Sequence, residues 1–162
     1  MSAVTIFPNV SGTTLQRHDW TTDELVEHLR NAGPYLEKNK CPLVKLATFG
    51  EIRSEHASLR HDANVIEVHG IEGDYDGGEV SLSDAQVMLF ENSVQAILYT
   101  SASHRREKPR WRVLCLLSRP IPARGAGAPR STLKRRSRRH PRAGSVHALA
   151  VVLHGRGGGR TV

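Results

Sequence analysis

Apolar residues recur at helical spacing near the beginning of the chain. Leu25 and Leu29 lie one helical turn apart, so they share one face of a helix. Thr21, followed three residues later by Glu24, is a capping-box pattern that begins this helix. Gly33-Pro34 ends or kinks it. The pattern predicts an amphipathic helix that packs one face on a core.

Four further segments have the length and the residue types of β-strands. Their predicted bounds are Leu43–Phe49, Asn64–Ile71, Val94–Thr100 and Trp111–Leu117. A second helix, capped by Ser81 or Ser83 and ending near Asn92, is predicted between the second and the third of these strands. The order helix, strand, strand, helix, strand, strand predicts an α+β fold with one sheet and both helices on one of its faces.

Charge divides the chain into two parts. Residues 1–118 contain 12 Lys and Arg against 16 Asp and Glu, whereas residues 119–162 contain 11 Lys and Arg and no acidic residue. The second part also contains 7 of the 14 glycines and 4 of the 8 prolines. It has few large apolar residues whose burial would offset the entropy lost on ordering. We therefore predict a domain over residues 1–118 and a disordered basic tail over residues 119–162.

Composition also bears on the compartment. No apolar run approaches the roughly 20 residues of a membrane helix, and the first residues lack the basic and apolar regions of a secretory signal. Cys41 and Cys115 are far apart in the sequence, which excludes a disulfide framework and a cysteine zinc site. We expect a cytoplasmic protein without a membrane partner.

Two carboxylates follow the second predicted strand. Asp74 and Asp76 are two residues apart, so an extended backbone points both side chains to the same side. Two carboxylates this close repel each other, and a divalent cation relieves the repulsion. The alternative is a turn, because Asp before Gly is common in turns and DYDGGE suits a hairpin loop.

A basic loop is predicted between the last two strands. It contains Ser103, His104 and two arginines, Arg110 and Arg112, which share one face by the period of two. A histidine, hydroxyl groups and paired arginines beside two carboxylates suit a nucleoside triphosphate whose metal ion sits on the carboxylates. The alternative is a solvated basic loop with a histidine at its edge.

Polar residues are also dense from Ser58 to Asn64, with Lys45 upstream. Such a segment forms either a binding rim or a loop with an Asp-Asn turn, and the loop is favoured. Trp20 and Trp111 are predicted to be packing anchors rather than platforms for base stacking.

The segment Leu43–Pro120 resembles the catalytic domain of the archaeo-eukaryotic primase superfamily. Within that superfamily it is most similar to the primase or primase-polymerase domains of plasmid and phage replication proteins. Three blocks in order carry the resemblance: LVKLATFG (Leu43–Gly50), SLRHDANVIEVHGIEGDYDGGEVS (Ser58–Ser81) and YTSASHRREKPRWRVLCLLSRP (Tyr99–Pro120). The resemblance implies an α+β, RRM-like mixed sheet with helices packed on it.

The same resemblance implies roles for individual residues. Asp74 and Asp76 fall on the first motif, which holds the catalytic Mg²⁺ or Mn²⁺ ions. Ser103 and His104 fall on the Ser-x-His second motif, which contacts the incoming nucleotide, although the residue two before the histidine is alanine here. Arg110 and Arg112 would lie beside the phosphates. The implied partners are a DNA template, nucleoside triphosphates and a replicative helicase.

The family places a third carboxylate on a later strand, whereas this sequence has no Asp or Glu after Glu107. We therefore expect a truncated or frameshifted domain that has lost activity. An out-of-frame translation is accordingly the first interpretation of residues 119–162. The second is an arginine-rich arm that holds nucleic acid through its phosphates, with its densest part at Leu133–Arg142. The third is an inert solvated tail.

Two other functions are left open. A non-catalytic nucleic-acid-binding protein would use the basic tail, above all Arg135, Arg136, Arg138 and Arg139. A plasmid replication nickase would need a histidine-rich metal motif and a nucleophilic tyrosine. His69 stands alone on its predicted strand, so the nickase ranks below the other functions.

Overall fold

The computed structural model describes residues 1–32, 40–123 and 150–153, the last four by their backbone alone. Within these ranges the α-helices are α1 (Thr22–Asn31) and α2 (Leu82–Glu91). The strands are β1 (Ser2–Phe7), β2 (Gln16–Trp20), β3 (Leu43–Lys45), β4 (Ala47–Phe49), β5 (Val65–Tyr75), β6 (Ala96–Thr100), β7 (Trp111–Pro122) and β8 (Ala150–Leu153). The predicted α+β class is confirmed.

The strands form two sheets rather than the single predicted one. β2, β1 and β3, in that order, make a small antiparallel sheet, and β4, β5, β7, β6 and β8 make a larger one. In the larger sheet β7 is antiparallel to both β5 and β6, so β5 and β6 run parallel to each other, and α2 connects them. These elements are a βαβ unit that is split by β7. β8 pairs with β6 in parallel.

The two helices pack on opposite faces of the larger sheet. Ile97 and Leu98 are neighbours in β6 and therefore point to opposite faces. Ile97 belongs to a buried cluster with Leu25 of α1 and Val4 of β1, whereas Leu98 belongs to a cluster with Ala85 of α2. The prediction of both helices on one face is wrong, because the small sheet and α1 together cover one face and α2 covers the other.

The predicted strand Leu43–Phe49 is broken at Leu46 into two strands of different sheets. β3 pairs with β1, and β4 pairs with β5. The buried Leu46 accepts hydrogen bonds at its carbonyl from the N–H groups of His69 (2.7 Å) and Gly70 (3.1 Å). A Cβ at position 70 would press on Leu46 and lie 2.7 Å from the Cys115 carbonyl oxygen. Only glycine fits at position 70, next to the point where the chain passes from one sheet to the other at Leu46.

Both helices begin at the predicted caps. Thr21 caps α1 and Ser81 caps α2, and each completes a capping box with the acidic residue three positions later, Glu24 and Asp84. These short-range patterns fix where each helix starts, independently of what covers it.

β5 and β7 are longer than predicted, and β1 and β2 were not predicted. β5 continues through Asp74 to Tyr75, and β7 crosses the predicted boundary at residue 118 and ends at Pro122. Of the predicted tail, residues 119–123 and 150–153 are described, and they end β7 and form β8. The four arginines assigned to nucleic acid, Arg135, Arg136, Arg138 and Arg139, lie outside the described residues. Neither described α-helix has the length and apolar composition needed to cross a membrane.

Candidate functional site

Asp74 and Asp76 lie at the end of β5, on one face of the larger sheet. Asp74 is opposite Arg112 of β7, which in turn is opposite Tyr99 of β6. The three side chains form a row across three neighbouring strands. Asp76 directly follows β5 and Arg110 directly precedes β7, so this second pair continues the same face two residues further on.

Each aspartate forms an ion pair with one arginine. Arg112 Nε contacts Asp74 Oδ1, and Arg110 Nε lies 3.7 Å from Asp76 Oδ1. The side chains of Asp74 and Asp76 are 62% and 70% exposed, whereas those of Arg112 and Arg110 are 33% and 27% exposed. Nε of both arginines is shielded from solvent and makes no hydrogen bond of good geometry within the described residues. The carboxylates are therefore open to solvent, and the guanidinium groups beside them are largely covered.

Tyr99 holds the Arg112 guanidinium on the side away from Asp74. The Tyr99 hydroxyl interacts electrostatically with the Arg112 guanidinium, and the Tyr99 ring packs against the buried cluster that contains Leu25 of α1. Burial raises the pKa of Tyr99 despite the opposing effect of Arg112, so the phenol is neutral at neutral pH. Burial lowers the pKa of Arg112, but Tyr99 and Asp74 outweigh it and raise that pKa overall. Arg112 is thus a permanent cation between a neutral acceptor and a carboxylate.

A third ion pair extends the row, and sequence reasoning missed it. Glu72 shares the face of Asp74 and Asp76 by the period of two, which was the available signal. Glu72 Oε2 accepts from Lys45 Nζ at 2.5 Å, and Oε1 accepts from the Leu46 N–H at 2.7 Å. Three carboxylates are therefore matched by three cations along this face, and the local charge is balanced.

The loop between β6 and β7 brings Ser103 and His104 to Arg110. Ser101 N–H donates to the Arg110 carbonyl at 3.1 Å and closes the loop. The Arg110 N–H donates to His104 Nδ1 at 3.2 Å, and Arg110 Nη1 donates to Ser103 Oγ at 3.3 Å. His104 Nδ1 also lies 3.2 Å from the Arg110 carbonyl oxygen, so the Arg110 backbone engages this nitrogen whichever ring nitrogen carries the proton. The predicted histidine, hydroxyl group and arginines therefore lie together, beside the two aspartates.

The loop that follows β5 is fastened by Tyr75. Its hydroxyl accepts from the backbone N–H groups of Glu79 (3.1 Å) and Val80 (2.8 Å), and its ring stacks on Trp111 with 4.7 Å between centroids. Gly78 has a φ of +81°, a left-handed conformation that glycine adopts without strain. The segment DYDGGE therefore leads from β5 into α2, and the alternative hairpin is not formed.

The exposed carboxylates suit a hard cation. Mg²⁺ is commonly held by one or two carboxylates together with waters and phosphate oxygens. Asp74 and Asp76 meet this description, because both are exposed and share a face. Among the described residues there is no group of three His, Cys, Asp or Glu that suits a metal ion. An ion here would take its remaining oxygens from a nucleotide and water, and the predicted metal site stays a prediction.

The polar segment Ser58–Asn64 has a structural position. The Asn64 side chain is buried, where Oδ1 accepts from the Ile52 N–H (2.9 Å) and Nδ2 donates to the Leu59 carbonyl (2.7 Å). These bonds fold the segment as a loop, in agreement with the favoured interpretation. Lys45, which the sequence grouped with this segment, lies instead in the charged row beside β5.

The two tryptophans pack as predicted. Trp20 packs on the buried cluster that contains α1, and Trp111 packs on the cluster that contains α2. Trp111 Nε1 also donates to the Val80 carbonyl at 3.0 Å.

His69, the histidine considered for a nickase, connects β5 to β1. Its Nδ1 accepts from the Ala3 N–H at 3.3 Å, and its Nε2 lies 3.5 Å from Glu67 Oε2. A nickase also needs a nucleophilic tyrosine, and the hydroxyl of Tyr75 is already an acceptor for two backbone amides. The contacts of His69 and Tyr75 therefore do not favour the nucleophilic cleavage of a nickase.

No protein-family model, curated protein or solved structure matches the chain. The family resemblance of Leu43–Pro120 therefore rests on its three sequence blocks alone.

Proposed function

We propose that the chain binds a nucleoside triphosphate together with Mg²⁺ or Mn²⁺ at the end of β5. The proposed manner of binding is that of the primase-polymerase domains of plasmid and phage replication proteins. One observation carries this proposal: two exposed aspartates lie beside two arginines, and Ser103 and His104 lie in the adjoining loop. Carboxylates for a cation and guanidinium groups for phosphates are the two kinds of group that such a ligand needs.

The topology supports the same proposal. The RRM-like fold implied by the resemblance contains a βαβ unit whose two parallel strands are separated by the next strand. β5, α2, β6 and β7 have this arrangement. The RRM-like core is therefore part of what we propose.

Each side chain has a role in the proposed complex. Asp74 and Asp76 supply oxygens to the cation, and Arg110 and Arg112 donate to phosphate oxygens through planar forks. His104 Nε2 is the ring nitrogen left for the nucleotide, because Nδ1 is engaged by the Arg110 backbone. When bound, the cation would neutralise the triphosphate and lower the pKa of an attacking hydroxyl.

Nucleotidyl transfer by this chain should be much weaker than nucleotide binding. A two-metal mechanism uses further oxygen ligands, which the family draws from a later strand. No acidic residue follows Glu107, and no group of three His, Cys, Asp or Glu among the described residues suits a metal ion. Glu72, the next carboxylate on this face, is held by Lys45 and the Leu46 N–H. We therefore propose a site that binds the nucleotide of a replication reaction, with a DNA template and a replicative helicase as the partners implied by the resemblance.

Calorimetric titration of dATP in Mg²⁺ into the full chain tests the proposal. Replacing both carboxylates, as Asp74→Asn with Asp76→Asn, should weaken binding by about tenfold or more, because two charged ligands of the cation are removed. Glu91→Gln is the control for the loss of a surface charge, since it removes one exposed carboxylate at the end of α2, on the other face of the sheet. Equal affinity of the double variant and the wild type, or no binding by the wild type, would refute the proposal.

A second candidate function follows from the charge of residues 119–162. Eleven Lys and Arg without any acidic residue favour binding to the phosphates of nucleic acid. Replacing Arg135, Arg136, Arg138 and Arg139 by Gln in the full chain should weaken DNA binding. It should also reduce the dependence of log K on log salt by about 0.9 for each phosphate that is no longer neutralised. An unchanged salt dependence would exclude this role for the four arginines.

A further inference from the structure

We infer that Arg110 and Arg112 are internal counter-ions that make cation binding and triphosphate binding depend on each other. This inference rests on the proposed function and adds a property of the same site. It concerns the order in which the site can be filled and the effect of each ligand on the affinity of the other.

The geometry provides the competition. Arg112 is paired with Asp74, and Arg110 is paired with Asp76, so each group that would hold one ligand already holds a group meant for the other. A cation bound to the aspartates displaces the two arginine side chains from them. A triphosphate bound to the arginines displaces the two aspartate side chains. Either ligand must therefore separate both pairs.

The arginines gain from the exchange because their Nε groups are poorly satisfied. Both Nε atoms are shielded from solvent and make no hydrogen bond of good geometry in the described part of the chain. A phosphate group can accept from Nε and Nη together in a bidentate arrangement. In the structure each arginine has its ion-pair contact through Nε to one oxygen of its aspartate. Triphosphate oxygens would thus satisfy donors that the aspartates leave unsatisfied.

Tyr99 keeps Arg112 at the site after the pair separates. Tyr99 lies opposite Arg112 in the register of β6 with β7, where its hydroxyl interacts with the guanidinium, and its ring packs against the buried cluster. Because the phenol is neutral, it holds the guanidinium without cancelling the charge that a phosphate recognises. Tyr99 is therefore a positioning residue for Arg112.

Linkage then gives the expected behaviour. The first ligand to bind separates the ion pairs, and the second finds its own groups already released, so each ligand strengthens the other by the same factor. A coupling of about tenfold is within the usual range for two linked sites. Either ligand alone should bind weakly.

Mn²⁺ binding without nucleotide tests one half of the linkage. The free-ion signal in electron paramagnetic resonance gives the affinity of the full chain for Mn²⁺ alone. Arg110→Gln with Arg112→Gln should tighten Mn²⁺ binding by about tenfold, because the competing cations are gone. The control is Arg105→Gln with Arg106→Gln, which removes the same charge from the same loop but from exposed positions. Its effect should stay within about twofold, since exposed charges are screened.

Nucleotide binding in a chelator tests the other half. With all divalent ions removed, Asp74→Asn with Asp76→Asn should bind dATP about tenfold more tightly than the wild type, because the arginines are released. In Mg²⁺ the same variant should bind dATP more weakly than the wild type, so its change in dATP affinity has opposite signs in the two conditions. A simple loss of structure cannot produce this reversal.

Each outcome decides one of the two proposals. If the wild type binds dATP with Mg²⁺ but the arginine variant does not tighten Mn²⁺ binding beyond its control, the linkage is wrong and the nucleotide site stands. The linkage is equally wrong if the aspartate variant binds dATP more weakly in chelator. If the wild type binds no dATP with Mg²⁺, both proposals fail. Should the double arginine variant not fold, Arg110→Gln alone gives the same test with a smaller shift, because its ion pair is the looser one, at 3.7 Å.

Discussion

The two faces of the larger sheet are built from alternate residues of the same three strands, yet they differ in chemistry and exposure. On one face Leu98, Trp111 and Val113 pack under α2. On the other face Tyr99, Arg112 and Asp74 form a row that opens to solvent at its carboxylate end. The strands are therefore fixed by the packing of one face, while the other face presents charged groups. A rigid element holds such groups more precisely than a loop does.

Truncating the packed face should have the largest effect. Leu98→Ala removes a fully buried side chain from the cluster under α2 and should lower the free energy of unfolding by about 2–5 kcal/mol. Urea unfolding measures this change. Val87→Ala, on the exposed side of α2, is the control and should cost about 0.5 kcal/mol or less. Equal effects of the two changes would mean that α2 does not pack where we place it.

A smaller loss of stability is expected when the hydrogen bond at the edge of the same packed face is removed. Trp111→Phe keeps an aromatic ring against Tyr75 but removes the donor to the Val80 carbonyl. The expected loss is about 1–2 kcal/mol, because the change removes one hydrogen bond and also part of a ring that packs on the cluster under α2. Thermal unfolding followed by far-UV circular dichroism measures it. An unchanged midpoint would show that the Val80 carbonyl finds another donor.

The charged face should contribute less to stability than the packed face. Arg112→Gln separates one ion pair whose carboxylate is 62% exposed, so it should lower the free energy of unfolding by less than about 1 kcal/mol. The same urea experiment as for Leu98→Ala measures it, with Arg112→Lys as the variant that keeps the charge. A loss above about 2 kcal/mol would place Arg112 in the core rather than in a binding site.

The smallest effect is a pH dependence that comes from Tyr99. Its pKa is raised above 10.0 mainly by burial, so the folded state keeps a proton that the unfolded state has begun to release. Stability should therefore be unaffected below the ordinary tyrosine pKa and fall as pH rises above it. Ultraviolet difference titration of the wild type against Tyr99→Phe isolates this ionisation. Ionisation of Tyr99 below the ordinary pKa would show that the ring is not buried beside Arg112.

Local patterns predicted the ends of elements and the residues of the site. The capping box at Thr21 placed the start of α1, and a serine cap left open between Ser81 and Ser83 placed the start of α2 to within two residues, because a cap depends only on nearby residues. The period of two placed Asp74 with Asp76 and Arg110 with Arg112, because an extended backbone alone sets which side chains share a face. The meeting of these two pairs needed the register of β5 with β7, which the sequence does not encode locally.

Longer-range features were not predictable in the same way. The predicted strand Leu43–Phe49 is broken at Leu46 because the chain there passes close to Gly70 of β5. Neither Leu46 nor Gly70 stands out in the apolar pattern of the sequence. The apolar pattern predicts only that Tyr99 lies in a strand. Its contact with Arg112 arises because β6 pairs with β7 in the sheet, which the sequence does not show. The packing of helices on both faces depended on β1 and β2, whose mixed composition gives little alternation.

The most direct test of the nucleotide site is a map of where Mn²⁺ binds. In a ¹H–¹⁵N spectrum of the full chain, Mn²⁺ added with dATP should broaden the amide signals of residues 73–77 and of residues 103–112 first. The Asp74→Asn with Asp76→Asn variant should lose this pattern. Broadening centred on other carboxylates, such as Asp23 and Glu27 of α1, would contradict the account, as would broadening that the double variant leaves unchanged.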